Sequence, residues 1–228
     1  MRSKKSSVLL WVAGNVFVAL GVSICSKADL GVSMIAAPAF IVSEFLSKFS
    51  PFFSVGVTEY LIQGVLLVAM CLIIGRFRWK YLLGFLVAVI YGYTLDLFLW
   101  ILSPLSFNTA LSSWIGLIIG DCITAFGVAC FFRTTMPLQI YELFVAEFAS
   151  RFSFNINKVK GGFDFSLLAV SVVLAFALFG DAGSFDWSKI YSQSFHAIGL
   201  GTLVTTAINS PIISLWGRLI DRLNRAGK

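Results

Sequence analysis

The residues of this chain that could do chemistry are acids inside long apolar runs. Glu59, Asp96 and Asp121 lie within such runs, and Asp164 lies near the start of another. An ionisable side chain at membrane depth costs about 2.5–3.5 kcal/mol on insertion scales, so it normally faces the protein interior or water and has a use. Such acids can exchange a proton or bind a cation. The alternative is that they hydrogen-bond across helices and stabilise packing, and the sequence leaves both interpretations open.

The apolar runs that hold these acids indicate a membrane protein. Hydrophobic residues make up 58% of the 228 residues, and charged residues make up 12%, about half the roughly 25% of soluble domains. Six runs approach the ~20 residues that cross a bilayer. They are residues 7–26, 54–75, 81–102, 114–132, 162–179 and 196–217. We therefore predict an all-α polytopic membrane protein with six transmembrane helices.

The sequence also contains an internal repeat. Residues 44–50 (EFLSKFS) return as residues 147–153 (EFASRFS), with five identities in seven positions. Further matches flank this one: GN at 14–15 with GD at 120–121, GV at 21–22 with GV at 127–128, and EY at 59–60 with DF at 164–165. Such self-similarity fixes the architecture before any local assignment. We predict one membrane domain, residues 1–228, built from two repeats, residues 7–105 and 113–220.

Two shorter segments, residues 33–49 and 136–152, occupy matching positions in the two repeats. Each places an acid four residues before a base, the spacing of neighbours on one helical face. We predict re-entrant or interfacial helices here. Non-helical backbone at membrane depth needs protein or a watery cavity around it, so the turns at 27–33 and 133–137 are candidates for lining a cavity. An ordinary loop followed by a helix on the membrane surface is the alternative.

The distribution of basic residues decides whether the short segments cross. If they do not cross, 14 of the 17 Lys and Arg residues lie on one side, and only Lys27, Lys48 and Lys189 lie on the other. If both cross, the split falls to 11 and 6. Positive charge collects on the cytoplasmic side, so we predict six crossings with both termini in the cytoplasm. Three crossings per repeat make the repeat inverted, and the net charge of +6 indicates contact with anionic lipid, not nucleic acid.

Four more residues join the four acids in the candidate substrate or ion site. Asn15 corresponds to Asp121 in the repeat, and Tyr93 approaches Asp96 in the same run. Asp29 and Gly31 lie in the turn before the first short segment, where Gly31 permits a positive φ. A helix N-terminus that points into a cavity attracts anions or carboxylates.

Enzyme chemistry is the least favoured function on this sequence. No Walker loop, GxGxxG, HExxH or Ser-His-Asp order is visible. The four cysteines lie in or at the ends of apolar runs without a CxxC pair, and His196 is the only histidine. We therefore expect no catalytic residues, no cofactor and no metal site.

The order of motifs resembles the YczE/YyaS/YitT group of bacterial integral membrane proteins, most closely the YczE branch. The residues that carry the resemblance are Gly21 with ADLGVS at 28–33, GYTLD at 92–96, KVK at 158–160 before Asp164, GLGTLV at 199–204 and NSP at 209–211. Met34 and Ile35 stand where the group has Pro and Trp, and Ser210 stands where it has Gly. The resemblance adds Asn209 to the candidate site, implies a bacterial plasma-membrane protein and is silent on the substrate.

Three functions follow from these features. The first is a small secondary transporter or channel for a small molecule or ion, with the site between the inverted repeats. The second is a substrate-capturing subunit of an energy-coupled importer. The third is an accessory or sensing membrane protein without transport activity. The expected partners are the lipid bilayer and a small ligand, and a homodimer or a larger membrane complex stays open.

Overall fold

A computed structural model of the protein describes residues 4–180 and 194–226, which form α-helices and no named strand. Lys189, one of the three basic residues predicted on the non-cytoplasmic side, lies outside the described residues. The helices are α1 (Lys4–Lys27), α2 (Ala37–Leu46), α3 (Val55–Ile74), α4 (Lys80–Ile101), α5 (Ala110–Phe131), α6 (Ile140–Phe152), α7 (Ile156–Phe179) and α8 (Leu200–Ala226). Over these described residues, the prediction of an all-α protein is therefore confirmed.

Five helices, α1, α3, α4, α5 and α7, are long and apolar enough to cross a membrane. The protein is thus an integral membrane protein. The sixth predicted crossing falls on α8, which has 27 residues but carries Arg218, Asp221 and Arg222 in its second half. α2 and α6, with 10 and 13 residues, are shorter than the ~20 residues that a crossing requires.

Helix boundaries follow local capping more closely than apolarity. Ser54 accepts a hydrogen bond from the Val57 amide at the start of α3, and Gly75 ends that helix with a left-handed φ of 67°, so the predicted run at 54–75 and the helix agree. By contrast, α5 begins at Ala110, four residues before the predicted run. The reason is a capping box between Thr109 and Ser112, which lies among polar residues and stabilises an additional turn.

α1 and α5 form the centre of the fold and cross antiparallel through glycines. A Cβ on Gly21 would lie 2.5 Å from the Gly120 carbonyl oxygen, and one on Gly127 would lie 2.9 Å from the Gly14 carbonyl oxygen. As residue numbers rise along α1, the numbers of the contacting residues fall along α5. The four glycines are those that the repeat places in register, and their missing side chains let the two backbones touch.

The two groups of four helices pack in matching ways. α1 contacts α4 as α5 contacts α8, α2 contacts α3 as α6 contacts α7, and α2 contacts α7 as α6 contacts α3. The match extends to single atoms, because a Cβ on Gly201 would lie 2.5 Å from the Leu30 carbonyl oxygen and one on Gly84 would lie 3.0 Å from the Leu138 carbonyl oxygen. Each short helix is thus introduced by a backbone carbonyl held against a glycine of the opposite half.

The contact between α3 and α4 has only a weak counterpart between α7 and α8. α3 and α4 touch closely, since a Cβ on Gly92 would lie 2.5 Å from the Gly56 carbonyl oxygen. In α7, a Cβ on Gly161 or Gly162 would meet nothing within 4 Å. The α3–α4 pair is therefore tight, whereas the space beside the start of α7 is open.

Glu44 and Glu147, the acids of the repeated motif, bond outside their own helix. The Glu44 Oε1 atom lies 2.8 Å from Nδ1 of His196, and Lys48 lies over the Phe179 ring. Glu147 forms its ion pair with Lys80. Each of these two acids therefore lies on a helix face that a neighbouring element contacts.

Candidate functional site

A small cavity lined by both polar and apolar side chains lies where the two halves meet. Its volume is about 50 Å³, and each of the eight helices, or the turn before it, contributes to its wall. A cavity needs roughly 10–15 Å³ to hold one water molecule, so this one has room for water or a small ion. We call it the central cavity.

The starts of both short helices reach the central cavity. Residues 33–36 lead into α2 and line it, and Gln139, Tyr141 and Glu142 line it at the start of α6. Of the two turns singled out from the sequence, only Ser33 belongs to this wall. The backbone amides at these two helix starts bring partial positive charge to the cavity.

A hydrogen-bonded chain of side chains fixes the α6 side of the cavity. The Ile140 amide, in the first turn of α6, donates to Gln63 Oε1 over 3.1 Å. The Gln63 Nε2 group therefore points the other way and donates to Glu59 Oε1 at 3.2 Å and to Gln139 Oε1 at 3.5 Å. Since a backbone N–H can only donate, this one bond determines the orientation of both amides.

Several polar atoms beside these hydrogen-bonded side chains have no partner. Glu59 and Glu142 are 1% and 7% exposed, and Gln139 is 3% exposed. Glu59 Oε2, Glu142 Oε2 and Gln139 Nε2 are buried, and no described residue bonds to them. A buried polar atom without a partner is costly, so these three atoms indicate a bound water or ion.

One ion pair, on α7, also lines the cavity. Lys160 Nζ donates to both carboxylate oxygens of Asp164 at 3.0 Å, with side chains 13% and 16% exposed. Among the described residues, Lys160 is the only cation in the wall of the central cavity. Because Lys160 is bonded to Asp164, Glu59 and Glu142 have no bonded positive charge.

Three of the residues predicted for the site line the central cavity, namely Glu59, Asp164 and Asn209. Asp121 lies directly behind Asn209, whose Nδ2 donates to Asp121 Oδ1 over 2.8 Å. Asn15 is buried in α1 but donates to the Trp11 carbonyl oxygen, and it is not part of the cavity wall. The structure thus brings four of the predicted residues together.

Asp96 and Tyr93 have other surroundings. Asp96 accepts hydrogen bonds from Ser54 Oγ at 2.6 Å and from the Gly56 amide at 2.7 Å, which join the C-terminal part of α4 to the start of α3. Tyr93 is 65% exposed on the outer surface of the bundle, where its ring lies near that of Tyr60. Neither residue lines the central cavity.

Asp29 and Gly31 line a second, larger cavity of about 540 Å³, which also includes Glu44 and His196. We call it the Asp29 cavity. Gly31 has a φ of 99°, a backbone conformation that favours glycine. The Val32 amide donates to the Ala197 carbonyl oxygen at 2.9 Å, so this loop is fastened to the segment before α8 and separates the Asp29 cavity from the central one.

A third cavity of about 470 Å³ lies between the end of α5, the start of α7 and α8. We call it the Arg133 cavity. Lys160 lines both this space and the central cavity. The kink-prone Pro211 lies inside α8 on the same wall. The Lys160–Asp164 pair therefore stands between the central cavity and the Arg133 cavity.

Sequence reasoning missed Gln63, Gln139, Tyr141, Glu142 and Lys160 as members of the site. A signal was present for two of them, because Gln63 is an isolated amide in an apolar run and Glu142 follows a turn expected to face a cavity. Glu142 has no acidic counterpart in the first repeat, so a search by repeat symmetry passes over it. Lys160 resembled an ordinary cytoplasmic flank of a crossing.

The arrangement is suited to binding and exchange and less to covalent chemistry. The described residues contain no group of three or more His, Cys, Asp or Glu side chains placed to hold a metal ion. The cavity offers carboxylate acceptors, an amide donor and the Tyr141 hydroxyl, which lies beside Glu59. These groups can bind a proton, water or a small hydrogen-bonding solute.

Comparison with known proteins identifies a family. No curated protein and no solved structure matches the chain. Residues 5–218 match the family of unknown function DUF6198. Because the match covers nearly every helix described above, the chain belongs to the DUF6198 family.

Proposed function

We propose that this protein is a small secondary transporter, and not an enzyme, in which the central cavity is the site and the two halves give alternating access to it. In such proteins, inverted repeats place the site near the bilayer midplane at their interface, and discontinuous helices begin there. The observation that carries the proposal is a small cavity with polar groups in its wall, to which each of the eight described helices, or the turn before it, contributes. Water or an ion fits in this state, and a larger solute requires the halves to move.

Two larger cavities support a route through the protein. Val32 lines the Asp29 cavity and its neighbour Ser33 lines the central cavity, while Lys160 lines both the central and the Arg133 cavity. We infer that a single layer of residues separates the central cavity from each of the other two. Towards the Asp29 cavity that layer is the loop of Gly31 and Val32, held at Ala197. Towards the Arg133 cavity it is the Lys160–Asp164 pair. We infer that these layers are the two gates.

An inverted repeat is part of the proposal. It is supported by the antiparallel crossing of α1 and α5 through corresponding glycines and by the matching Gly84 and Gly201 contacts. With six crossings, both termini lie in the cytoplasm, the Arg133 cavity faces inward and the Asp29 cavity faces outward. The plasma membrane of a bacterium is the location that the YczE-like resemblance favours.

Alternating access can be tested at Thr206, which lines the central cavity. In a variant with all four cysteines replaced by alanine, Thr206→Cys is treated with a membrane-impermeant maleimide in right-side-out and in inside-out vesicles. A reagent of this size cannot enter 50 Å³, so labelling itself reports opening. We expect labelling from both sides. Leu203→Cys on the same helix is 51% exposed to lipid and should stay unlabelled.

Labelling of Thr206→Cys from one side only would contradict alternating access. Orientation is checked separately with Arg76→Cys and Lys189→Cys, which should be labelled from opposite sides. A thermal-shift screen of the purified protein against metabolites and inorganic ions then seeks a substrate, since a ligand that binds the native state raises its stability. Co-purification with an ATPase together with one-sided labelling would favour the substrate-capturing subunit.

A further inference from the structure

The central cavity contains more acid than its cation can balance. The titratable groups that face it are Glu59 of α3, Tyr91 of α4, Tyr141 and Glu142 of α6, and Lys160 and Asp164 of α7, with Asp121 of α5 behind Asn209. Lys160 is bonded to Asp164. Glu59 and Glu142 therefore share an enclosed space without a bonded cation.

Two bare carboxylates cannot share such a site at acceptable cost. Burying an unpaired charge is so unfavourable that the group normally neutralises or finds a partner. Two carboxyl groups that face one site tend to hold a proton between them, because both cannot ionise easily. The unpartnered oxygens Glu59 Oε2 and Glu142 Oε2 are the positions where that proton would reside.

The donors around the acids favour a proton over a metal cation. The Gln139 Nε2 group has its orientation fixed through Gln63 and Ile140, and it is an unpartnered donor in the same cavity. An amide N–H repels a cation but can bond to a carboxylate or to a water oxygen. A cavity of about 50 Å³ holds the water that would connect the two acids.

We propose that Glu59 and Glu142 together bind one exchangeable proton and that this proton is the ion coupled to transport. The inference rests on the proposed transport function. On binding, a proton from water forms an O–H bond with one carboxylate oxygen, and the pair changes from two negative charges to one. On release, the same bond breaks and the proton returns to water through whichever gate is open. Repulsion between the two ionised groups then resists closure until a proton is taken up again.

Infrared difference spectroscopy of the purified full-length protein tests the proton site directly. A protonated carboxyl group has a C=O stretching band that the ionised group lacks. In wild type we expect such a band to appear as the pH falls from mildly alkaline to mildly acidic. Glu59→Gln and Glu142→Gln should each abolish it. Glu147→Gln on the same helix as Glu142 is the matched control, because Glu147 lies outside the central cavity, and it should leave the band unchanged.

Size-exclusion chromatography and thermal unfolding identify a glutamine variant that fails to fold. Glu59→Asp is then measured in its place. Glu59→Asp should retain the band at a shifted frequency. Retention of an unchanged band in both glutamine variants would overturn the proton site, whatever vesicle labelling shows. Conversely, loss of the band in both variants together with one-sided labelling of Thr206→Cys would support the proton site and remove the transport function, so the two failures are distinguishable.

Discussion

Replacement of Gly21 by alanine tests the crossing on which the architecture depends. The new Cβ would lie 2.5 Å from the Gly120 carbonyl oxygen and 2.6 Å from the Thr124 amide nitrogen. Both atoms belong to backbone, so α1 and α5 must separate. Overpacking of this kind costs about 1–3 kcal/mol, and alanine returns about 0.5–1 kcal/mol through its higher helix propensity. We expect a net loss of about 1–2 kcal/mol in the free energy of unfolding.

Thermal unfolding of the purified protein, followed by the fluorescence of its six tryptophans, measures this loss. For a chain of this size, each kcal/mol corresponds to about 2–4 °C, so Gly21→Ala should lower Tm by about 2–8 °C. Gly127→Ala, its counterpart in the repeat, should act in the same direction but less strongly, because its nearest backbone atoms lie at 2.7 and 2.9 Å.

Gly162→Ala is the matched control, since its Cβ would meet nothing within 4 Å. It should leave Tm unchanged or raise it. If Gly21→Ala melted no lower than Gly162→Ala, the close antiparallel contact of α1 and α5 would be wrong, and with it the strongest support for an inverted repeat.

Two further outcomes concern ion pairs. Burial would raise the pKa of Glu147, but its hydrogen bond and ion pair with Lys80 lower the pKa below its ordinary value of 4.5. The resulting stabilisation is present above pH 4.5 and is lost as the pH falls through the lowered pKa. Glu147→Gln should therefore have a lower Tm than wild type at neutral pH, and the two Tm values should converge in acid. Arg133 donates to both oxygens of Asp221 at 3.1 and 2.8 Å; Asp221→Asn should cost about 0.5–1 kcal/mol, and the difference in Tm should shrink at high salt. A Glu147→Gln profile parallel to wild type, or a salt-independent effect at Asp221, would refute the respective assignment.

The sequence predicts most of the architecture because lipid imposes simple rules. Apolar length finds the crossings, and the run at 54–75 consists of α3 with its two capping residues, Ser54 and Gly75. The run at 114–132 starts late because apolarity does not detect the Thr109 capping box. Apolarity is also a weak signal for α8, whose second half is charged.

The site was harder to predict than the fold. The search for intramembrane acids picked out Glu59 and Asp164, which the structure places in one cavity wall, because burial cost applies to any acid in an apolar run. Cost alone does not say which acids meet. Asp96 lies in an equally apolar run but bonds to the start of α3. Glu142 lies on a short amphipathic helix, where an acid is expected and does not indicate a site. Only the tertiary arrangement separates these cases.

The inequality between the two halves suggests a use for Asp96. In the present structure the α3–α4 pair is tight and the space beside the start of α7 is open. If the two halves exchange conformations during transport, the α3–α4 pair must loosen when the gate towards the Asp29 cavity opens. The bonds from Asp96 to Ser54 and Gly56 hold α3 and α4 together, so they oppose that step. Asp96→Asn keeps the shape but replaces two charge-assisted bonds with weaker ones.

We therefore expect Asp96→Asn to shift the population of states outward. In the cysteine-free background, Thr206→Cys combined with Asp96→Asn should be labelled faster from the outer side and more slowly from the inner side than Thr206→Cys alone. Thr94→Cys, on the same helix and outside the walls of the three cavities, serves as the control and should label alike with and without the Asp96 change. A mutation shifts a conformational equilibrium only when it affects the two states unequally. If Asp96→Asn changed the labelling rate of Thr206→Cys from neither side, the Asp96 bonds would stabilise packing alone.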